Sequence, residues 1–353
     1  MKEKEKKFVL KGLSLNELNN YFERIGEPNY RGNQIFNWIY NHISFDFNEM
    51  LNIPKSTRQH LEDECDLKTL TLVKEQKSNS TGTTKFLFET FDRKKIESVL
   101  IPEKERNTLC ISTQVGCPLD CKFCATGLMG FNRNLSAGEI VDQYLMIAKE
   151  IGKEKITNIV YMGMGEPLIN YDPTIKSAEI FTHELTKGLS RTRITISTAG
   201  IPNKIKELSE SNLRVKLALS LHSCFDDIRS KIMPINKKYP LQQNLDAIKI
   251  YAKKTKTRIT YEYTMLKNIN DREEDVKALI KLCRSIPSKI NLIPFNSIKH
   301  MNPGGISNEL EPTLQKNILE FANKLRENNI TVMLRETQGD DISAACGQLA
   351  VKS

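Results

Sequence analysis

The chain has little of what marks membrane, secreted or zinc-finger proteins. It holds one tryptophan and five histidines in 353 residues, and no histidine follows its cysteine-rich stretch at finger-like spacing. Its longest apolar runs fall well short of the roughly 18 residues that suggest a spanning helix. The opening MKEKEKKFVLKG is charged and leads into no apolar region, so it is not read as a secretory signal. No internal repeat and no low-complexity tract interrupts it. These absences leave an ordinary globular protein, expected off the membrane and in the reducing cytoplasm, where a framework of structural disulfides is not expected.

Against that background the cysteines stand out. Of eight, Cys65, Cys224 and Cys283 are isolated and read as small buried hydrophobes. Cys117, Cys121 and Cys124 crowd into GCPLDCKFCATG, with Cys110 just upstream and Cys346 near the C-terminus. In a reducing compartment such crowding points to a metal or to catalysis. The net charge is +9, and residues 1–70 hold 10 Lys and Arg against 11 Asp and Glu. The whole excess therefore falls on residues 71–353. It favours an anionic partner without identifying one.

Pattern and punctuation divide the chain into three. Residues 1–70 read as a small helical unit. Ser14 and Glu17 form a capping box, Ile35, Phe36 and Ile39 share a face of a helix over 32–42, and a third helix follows Pro54. Residues 71–103 alternate as a hairpin turning at Asn79-Ser80-Thr81-Gly82, with a third strand ending at Pro102. Residues 104–353 repeat strand and helix. Strands are predicted at 108–114, 157–162, 193–197, 215–220, 258–265, 289–294 and 331–334. Helices are predicted at 137–151, 173–185, 202–210, 225–231, 241–255, 272–285 and 310–328. The fold class is α/β with a parallel sheet, and about six units fit a partial (β/α)6 TIM-like barrel better than a closed one. A doubly wound sheet is the alternative, although no GxGxxG follows the first strand.

In either architecture the active site lies at the C-terminal ends of the strands. The spacing C-x3-C-x2-C follows the first core strand, so one loop carries three soft thiolates suited to zinc or iron–sulfur. A structural zinc needs a fourth ligand. A 4Fe–4S cluster on three thiolates keeps one iron open for a small molecule. The loop resembles that of the radical S-adenosylmethionine (SAM) superfamily, in which the open iron chelates SAM and the reduced cluster cleaves it to a 5′-deoxyadenosyl radical. Other places fit a SAM pocket: Gly165 and Glu166 in YMGMGEP, Ser197, Ser220-Leu221-His222, and Asn296 in LIPFN, all at strand C-terminal ends.

Nearly the whole chain is similar to the RlmN/Cfr family of RNA adenine methyltransferases, through SxQVGCxxxCxFCATG, GMGEP, STAGI, LALSLH, MPIN, LIPFN and GDDIxAACGQL. GMGEP and GDDISAACGQLA resemble the RlmN branch, and Ser343 stands where many members have aspartate. The resemblance implies methylation of carbon 2 of an adenosine in 23S rRNA and of the adenosine beside the anticodon in tRNA. It implies one 4Fe–4S cluster on Cys117, Cys121 and Cys124, and two SAM per turnover. One SAM would methylate Cys346. The radical from the second would abstract hydrogen from that S-methyl group, and the resulting carbon radical would add to the base. Cys110 would then release the product through a transient disulfide, with Glu97 as proton acceptor. By alternation Glu97 shares a strand face with Val99 and Ile101. A flavodoxin-like electron donor and a monomeric state are expected. The competing readings are methylation of carbon 8, a glycyl-radical activase that needs neither Cys110 nor Cys346, and an RNA-binding protein with a structural zinc.

Overall fold

The computed structural model describes residues 7–186 and 188–351. Residues 1–6, Lys187 and 352–353, which the 1–70 and 104–353 units include, lie outside the described residues. The N-terminal helices are α1 (Leu15–Arg24), α2 (Tyr30–Tyr40) and α3 (Lys55–Glu64). The expected box opens α1: Ser14 Oγ accepts from the Glu17 N–H, and Glu17 accepts from the Ser14 N–H at 2.7 Å. Two short strands, Phe8–Val9 and Cys65–Asp66, pair in parallel and bring the ends of this helical unit together. It docks through a buried ion pair, Lys11 Nζ to Asp142 at 2.6 Å, both side chains fully covered. A buried pair is tolerated when its remaining lone pairs are used. Asp142 also accepts from Thr69 N–H, Thr69 Oγ1 and Leu70 N–H.

Ten strands form one sheet: β1 (Leu70–Lys77), β2 (Thr84–Thr90), β3 (Lys95–Glu103), β4 (Arg106–Cys110), β5 (Asn158–Tyr161), β6 (Ile194–Thr198), β7 (Lys216–Ser220), β8 (Ile259–Met265), β9 (Ser288–Pro294) and β10 (Val332–Leu334). They lie across the sheet in chain order. From β4 to β10 every pairing is parallel. From β1 to β4 every pairing is antiparallel. The hairpin region is thus continuous with the barrel sheet. The six-unit barrel is β4–β9, and β10 adds a seventh parallel strand at the open edge. Each residue of β8 is buried, as a strand covered on both faces requires.

The crossover helices are α4 (Ala125–Leu128), α5 (Ala137–Ile151), α6 (Tyr171–Thr182), α7 (Pro202–Glu210), α8 (Asp226–Ile232), α9 (Leu241–Thr255), α10 (Glu273–Ser285), α11 (Ile306–Glu309) and α12 (Gln315–Glu327). The helices expected over 32–42 and 173–185 run over Tyr30–Tyr40 and Tyr171–Thr182, and three further differences have a local cause. The helix expected over 310–328 begins at Gln315, because Pro312 biases its neighbour away from helix and makes an isolated β-bridge to Leu266. β3 runs through Pro102 to Glu103: β2 has its last partner at Leu100, so no hydrogen bond is lost on that side. The first core strand stops at Cys110 rather than 114, and Gln114–Gly116 turn away to pair with Phe131–Asn134. Among the described residues no helix is long and apolar enough to cross a membrane.

Candidate active site

The thiol loop therefore starts beyond a short ribbon, one step removed from β4. At Gly116 the backbone takes φ +75°, and an added Cβ would sit 1.9 Å from the Gly130 carbonyl oxygen. Only glycine fits that turn. Cys124 caps α4, and the backbone of Gly127 and Thr126 in the first turn pulls its thiol pKa down. Helix-terminal donors favour a thiolate. Burial works against them: it raises the Cys124 thiol, pushes Cys117 up to about 12 and lifts Cys121 well above its ordinary value, with neighbouring thiols adding to the last two. Three desolvated thiols side by side require a positive partner before they can ionise together. Among the described residues no three His, Cys, Asp or Glu side chains converge on one point. A tetrahedral zinc would draw its sulfurs to about 3.8 Å of one another, given Zn–S bonds of about 2.3 Å. Soft thiolates of this kind suit zinc or an iron–sulfur core.

The three sulfurs open into a cleft of about 1140 Å³ on the concave side of the sheet. Gly165, Glu166, Ser197, Ser220, His222 and Asn296 line it as well. Glu166 is 3% exposed. Its carboxylate accepts from the Ala199 N–H at 2.7 Å and the Leu168 N–H at 3.0 Å. Burial raises its pKa while these donors oppose the shift. His222 takes a left-handed φ of 53°. Its Nδ1 accepts from the Thr264 N–H at 3.0 Å and its ring meets Phe123 edge-on. Burial, with Arg229 nearby, lowers His222 to about 3. The imidazole is neutral near pH 7, and the bond to Nδ1 leaves its proton on Nε2.

Leu221 behaves differently. Its side chain is fully buried in the core and forms no part of the cleft wall. Its backbone ties strands together, N–H to Glu262 O at 3.0 Å. Asn296 donates through Nδ2 to the Cys346 carbonyl at 3.0 Å, so here it holds the late cysteine loop.

That loop lies over the thiol loop. Ala125 N–H donates to Gly347 O at 2.7 Å and Thr126 Oγ1 to Leu349 O at 2.6 Å. Gln348 Nε2 donates to Asp340 at 2.6 Å. Cys110 and Cys346 both line the cleft. Cys346 is solvent-accessible from the cleft yet closely surrounded, and its thiol is pushed up to about 12 by burial, then by Glu262 and Cys124. Cys110 is also pushed up to about 12, first by burial and then by Cys346. Glu97 lies off the cleft wall, at 4% exposure, paired with Lys85 at 3.2 Å. Among the described residues its Oε2 has no hydrogen-bond partner. Burial raises its pKa against the pull of Lys85 and of the nearby Ala350 backbone.

Three residues of this site were not singled out from sequence. Arg229, fully buried on α8, donates to Leu221 O, Ala199 O, Ser220 O and Asn236 Oδ1. It pins the peptides that carry the serines and His222. Glu262 lines the cleft and is raised to about 7 by burial. Lys85 binds both Glu97 and Ser343 O, the latter at 3.2 Å. The available signal was a charge at an apolar position, Arg229 one turn before Ile232 and Glu262 within ITYEYTM.

The sheet, the thiol loop and the cleft define a radical SAM enzyme. Residues 111–282 match the Radical SAM superfamily, and residues 9–67 match the ribosomal RNA large subunit methyltransferase N-terminal domain. The chain belongs to the RlmN family of radical SAM RNA methyltransferases. It is 44% identical over 337 residues to a probable dual-specificity RNA methyltransferase RlmN of Dictyoglomus turgidum, covering 95% of this chain and 94% of the relative. A Thermotoga neapolitana relative of the same description is 45% identical, covering 96% of each. A crystallised radical SAM methyltransferase from Sphaerobacter thermophilus superposes with a TM-score of 0.89 at 38% identity, covering 97% of this chain and 98% of that one. Membership of the superfamily implies a 4Fe–4S cluster and SAM.

Proposed function

We propose that the protein methylates carbon 2 of an adenosine in 23S rRNA and of the adenosine beside the anticodon in tRNA, through methylated Cys346. The observation that carries this is the meeting of Cys110 and Cys346 in the cleft that holds Cys117, Cys121 and Cys124. An activase has no use for the outer pair. Cys117, Cys121 and Cys124 would hold the cluster, and Gly165, Glu166, Ser197, Ser220, His222 and the Leu221 backbone would surround SAM. When bound, these groups supply a methyl group and a carbon-centred radical. Cys346 carries the methyl carbon to the base, where the weak nucleophilicity of carbon 2 would otherwise stall displacement. The Cys110 thiolate attacks the Cys346 sulfur, forming the disulfide as the carbon–sulfur bond breaks; its electron pair leaves with the carbon, which takes up a proton as the new methyl group, and an external dithiol reduces the disulfide before the next turnover. Glu97 accepts the proton from carbon 2, which requires the Ala350 end of the loop to move aside. The N-terminal unit 1–70 and the hairpin region 71–103 would face the RNA, with 104–353 as the catalytic core. A flavodoxin-like donor would reduce the cluster of a monomeric enzyme.

Anaerobically produced, SAM-replete protein should yield a Cys346 peptide 14 Da heavier than unmodified, on the order of one methyl group. An unmodified peptide together with unmethylated RNA would remove this reading. The pH profile tests Glu97 separately. As pH falls through its raised pKa the base is protonated and turnover declines. Lys85→Met removes the opposing cation, so the acid limb should move to higher pH. A limb that stays in place would exclude Glu97 as the base.

A further inference from the structure

Alternate residues of a strand share one face of the sheet. Cys110, Ser197, Ser220, Glu262 and Ile293, on β4, β6, β7, β8 and β9, all line the cleft. Four positions upstream of each stands a cation: Arg106, Arg193, Lys216, Arg258 and Lys289. These cations make a basic tier: along their strands Lys216 and Lys289 stand about 13 Å below Ser220 and Ile293, at a rise of about 3.3 Å per residue, Arg106 lies at the same level on β4 and reaches the cleft, and Arg193 and Arg258 immediately precede β6 and β8. Lys216, Arg193, Arg106 and Arg258 are exposed and Lys289 is half-buried. Burial and then Arg193 and Arg106 lower the pKa of Lys216, and burial and then Lys216, Arg335 and Arg106 lower that of Lys289, where Glu262 pulls the other way.

Nearby acids offset only part of this tier. Glu103 pairs with Arg106, and Glu262 accepts from Asn291 at 2.9 Å. Glu105 and Glu336 stand at the rim of the cleft. Arg258 is held by Ser288 O and Thr331 Oγ1, and Arg193 reaches Asn158 Oδ1 at 3.3 Å. Among the described residues no carboxylate forms a salt bridge with Lys216 or Lys289. Arg106 and Arg335 also line the cleft, so the positive surface is continuous with the reaction chamber.

We propose that this tier binds the phosphodiester backbone of the RNA substrate, next to the nucleotide whose base enters the cleft. Cations set at five strands select an anion carrying several charges over a single phosphate. Arg106 and Lys289 end an arc of five strand intervals, roughly 24 Å along the sheet at about 4.8 Å per strand, which the curvature of the barrel folds back so that the two act on each other. The sequence excess of positive charge outside the N-terminal unit agrees with this placement. The proposal rests on the RNA methyltransferase reading and adds a recognition surface to it.

The test uses reconstituted holoenzyme and fluorescein-labelled tRNA anticodon hairpins and 23S rRNA fragments, followed by anisotropy across a salt series. K216E/K289E should weaken binding about tenfold and flatten the slope of log K against log salt by about 1.4, at about 0.7 per single-strand phosphate contact. The control K277E/K281E, on exposed α10 positions, changes net charge equally and should alter binding little. RNA-independent formation of 5′-deoxyadenosine should be unchanged in both, which shows that the fold and the SAM site survive. Equal losses in both pairs, or no loss in K216E/K289E, would overturn the tier alone. Wild-type enzyme that neither binds nor methylates any of these RNAs would overturn the RNA reading beneath it.

Discussion

Cys346→Ala is expected to remove RNA methylation, at least about 10³-fold, while SAM cleavage continues. The magnitude follows from the role proposed for the sulfur: it carries the transferred carbon, and no other group in the cleft can substitute for a covalent carrier. Cys117, Cys121 and Cys124 belong to the wall where the radical would be made, whereas Cys346 decides where it goes. The substitution should leave the loop in place. Its anchors, Asn296 to Cys346 O, Ala125 to Gly347 O and Thr126 to Leu349 O, all use backbone carbonyls that alanine retains. Neither Glu166 nor His222 depends on the Cys346 sulfur for its hydrogen bonds. Chromatography of 5′-deoxyadenosine and nucleoside mass spectrometry of the RNA measure the two halves separately. Methylation persisting at a tenth of the wild-type rate would end the covalent-carrier account. Loss of both products would instead locate Cys346 in SAM binding.

Much of this site was legible in the sequence because its parts are local. A capping box needs two residues on one turn, and that of Ser14 with Glu17 forms as expected. The thiol loop is legible for the same reason, since three cysteines within eight residues need no distant partner to be recognised. What escaped detection depends on distance. Arg229 matters because carbonyls from two separate places, Ala199 and the adjacent Ser220 and Leu221, converge on it, and nothing near it in sequence announces them. Lys85 matters because β2 and β3 place it against Glu97 while the chain returns to offer Ser343 O. Leu221 divides between backbone and side chain: just beyond the end of β7 its side chain packs into the core, while Ser220 and His222 on either side line the cleft. The early end of β4 depends on distance too: the alternating pattern continues past Cys110, but the backbone donors of Thr113 and Gln114 go to Met164 O rather than along the sheet.

Cys110→Ala should trap a covalent RNA–protein adduct. Cys110 closes β4, 7% exposed, with its sulfur in the cleft beside Cys346. A residue fixed in a central strand presents its thiol at high effective concentration and with little freedom to wander. Once the methyl-derived carbon joins base and Cys346, the link breaks only if another sulfur attacks that of Cys346 and forms the disulfide. Alanine cannot, and among the described residues the thiols sharing the cleft are Cys110, Cys346 and the three of the cluster loop. The adduct should therefore accumulate to about one per active site and survive a denaturing gel run without nucleophile. In wild-type enzyme the same step needs a Cys110 thiolate, and burial raises that thiol, a cause that persists once the Cys346 sulfur is alkylated and can no longer carry a charge. Product release should accordingly accelerate as pH rises, over a range where SAM cleavage stays level. Labelled RNA comigrating with the protein in C110A, and absent in the double variant with C346A, is the expected pattern. Wild-type turnover by C110A without adduct would exclude the resolving role and require that the carbon–sulfur bond be broken by a group outside this pair.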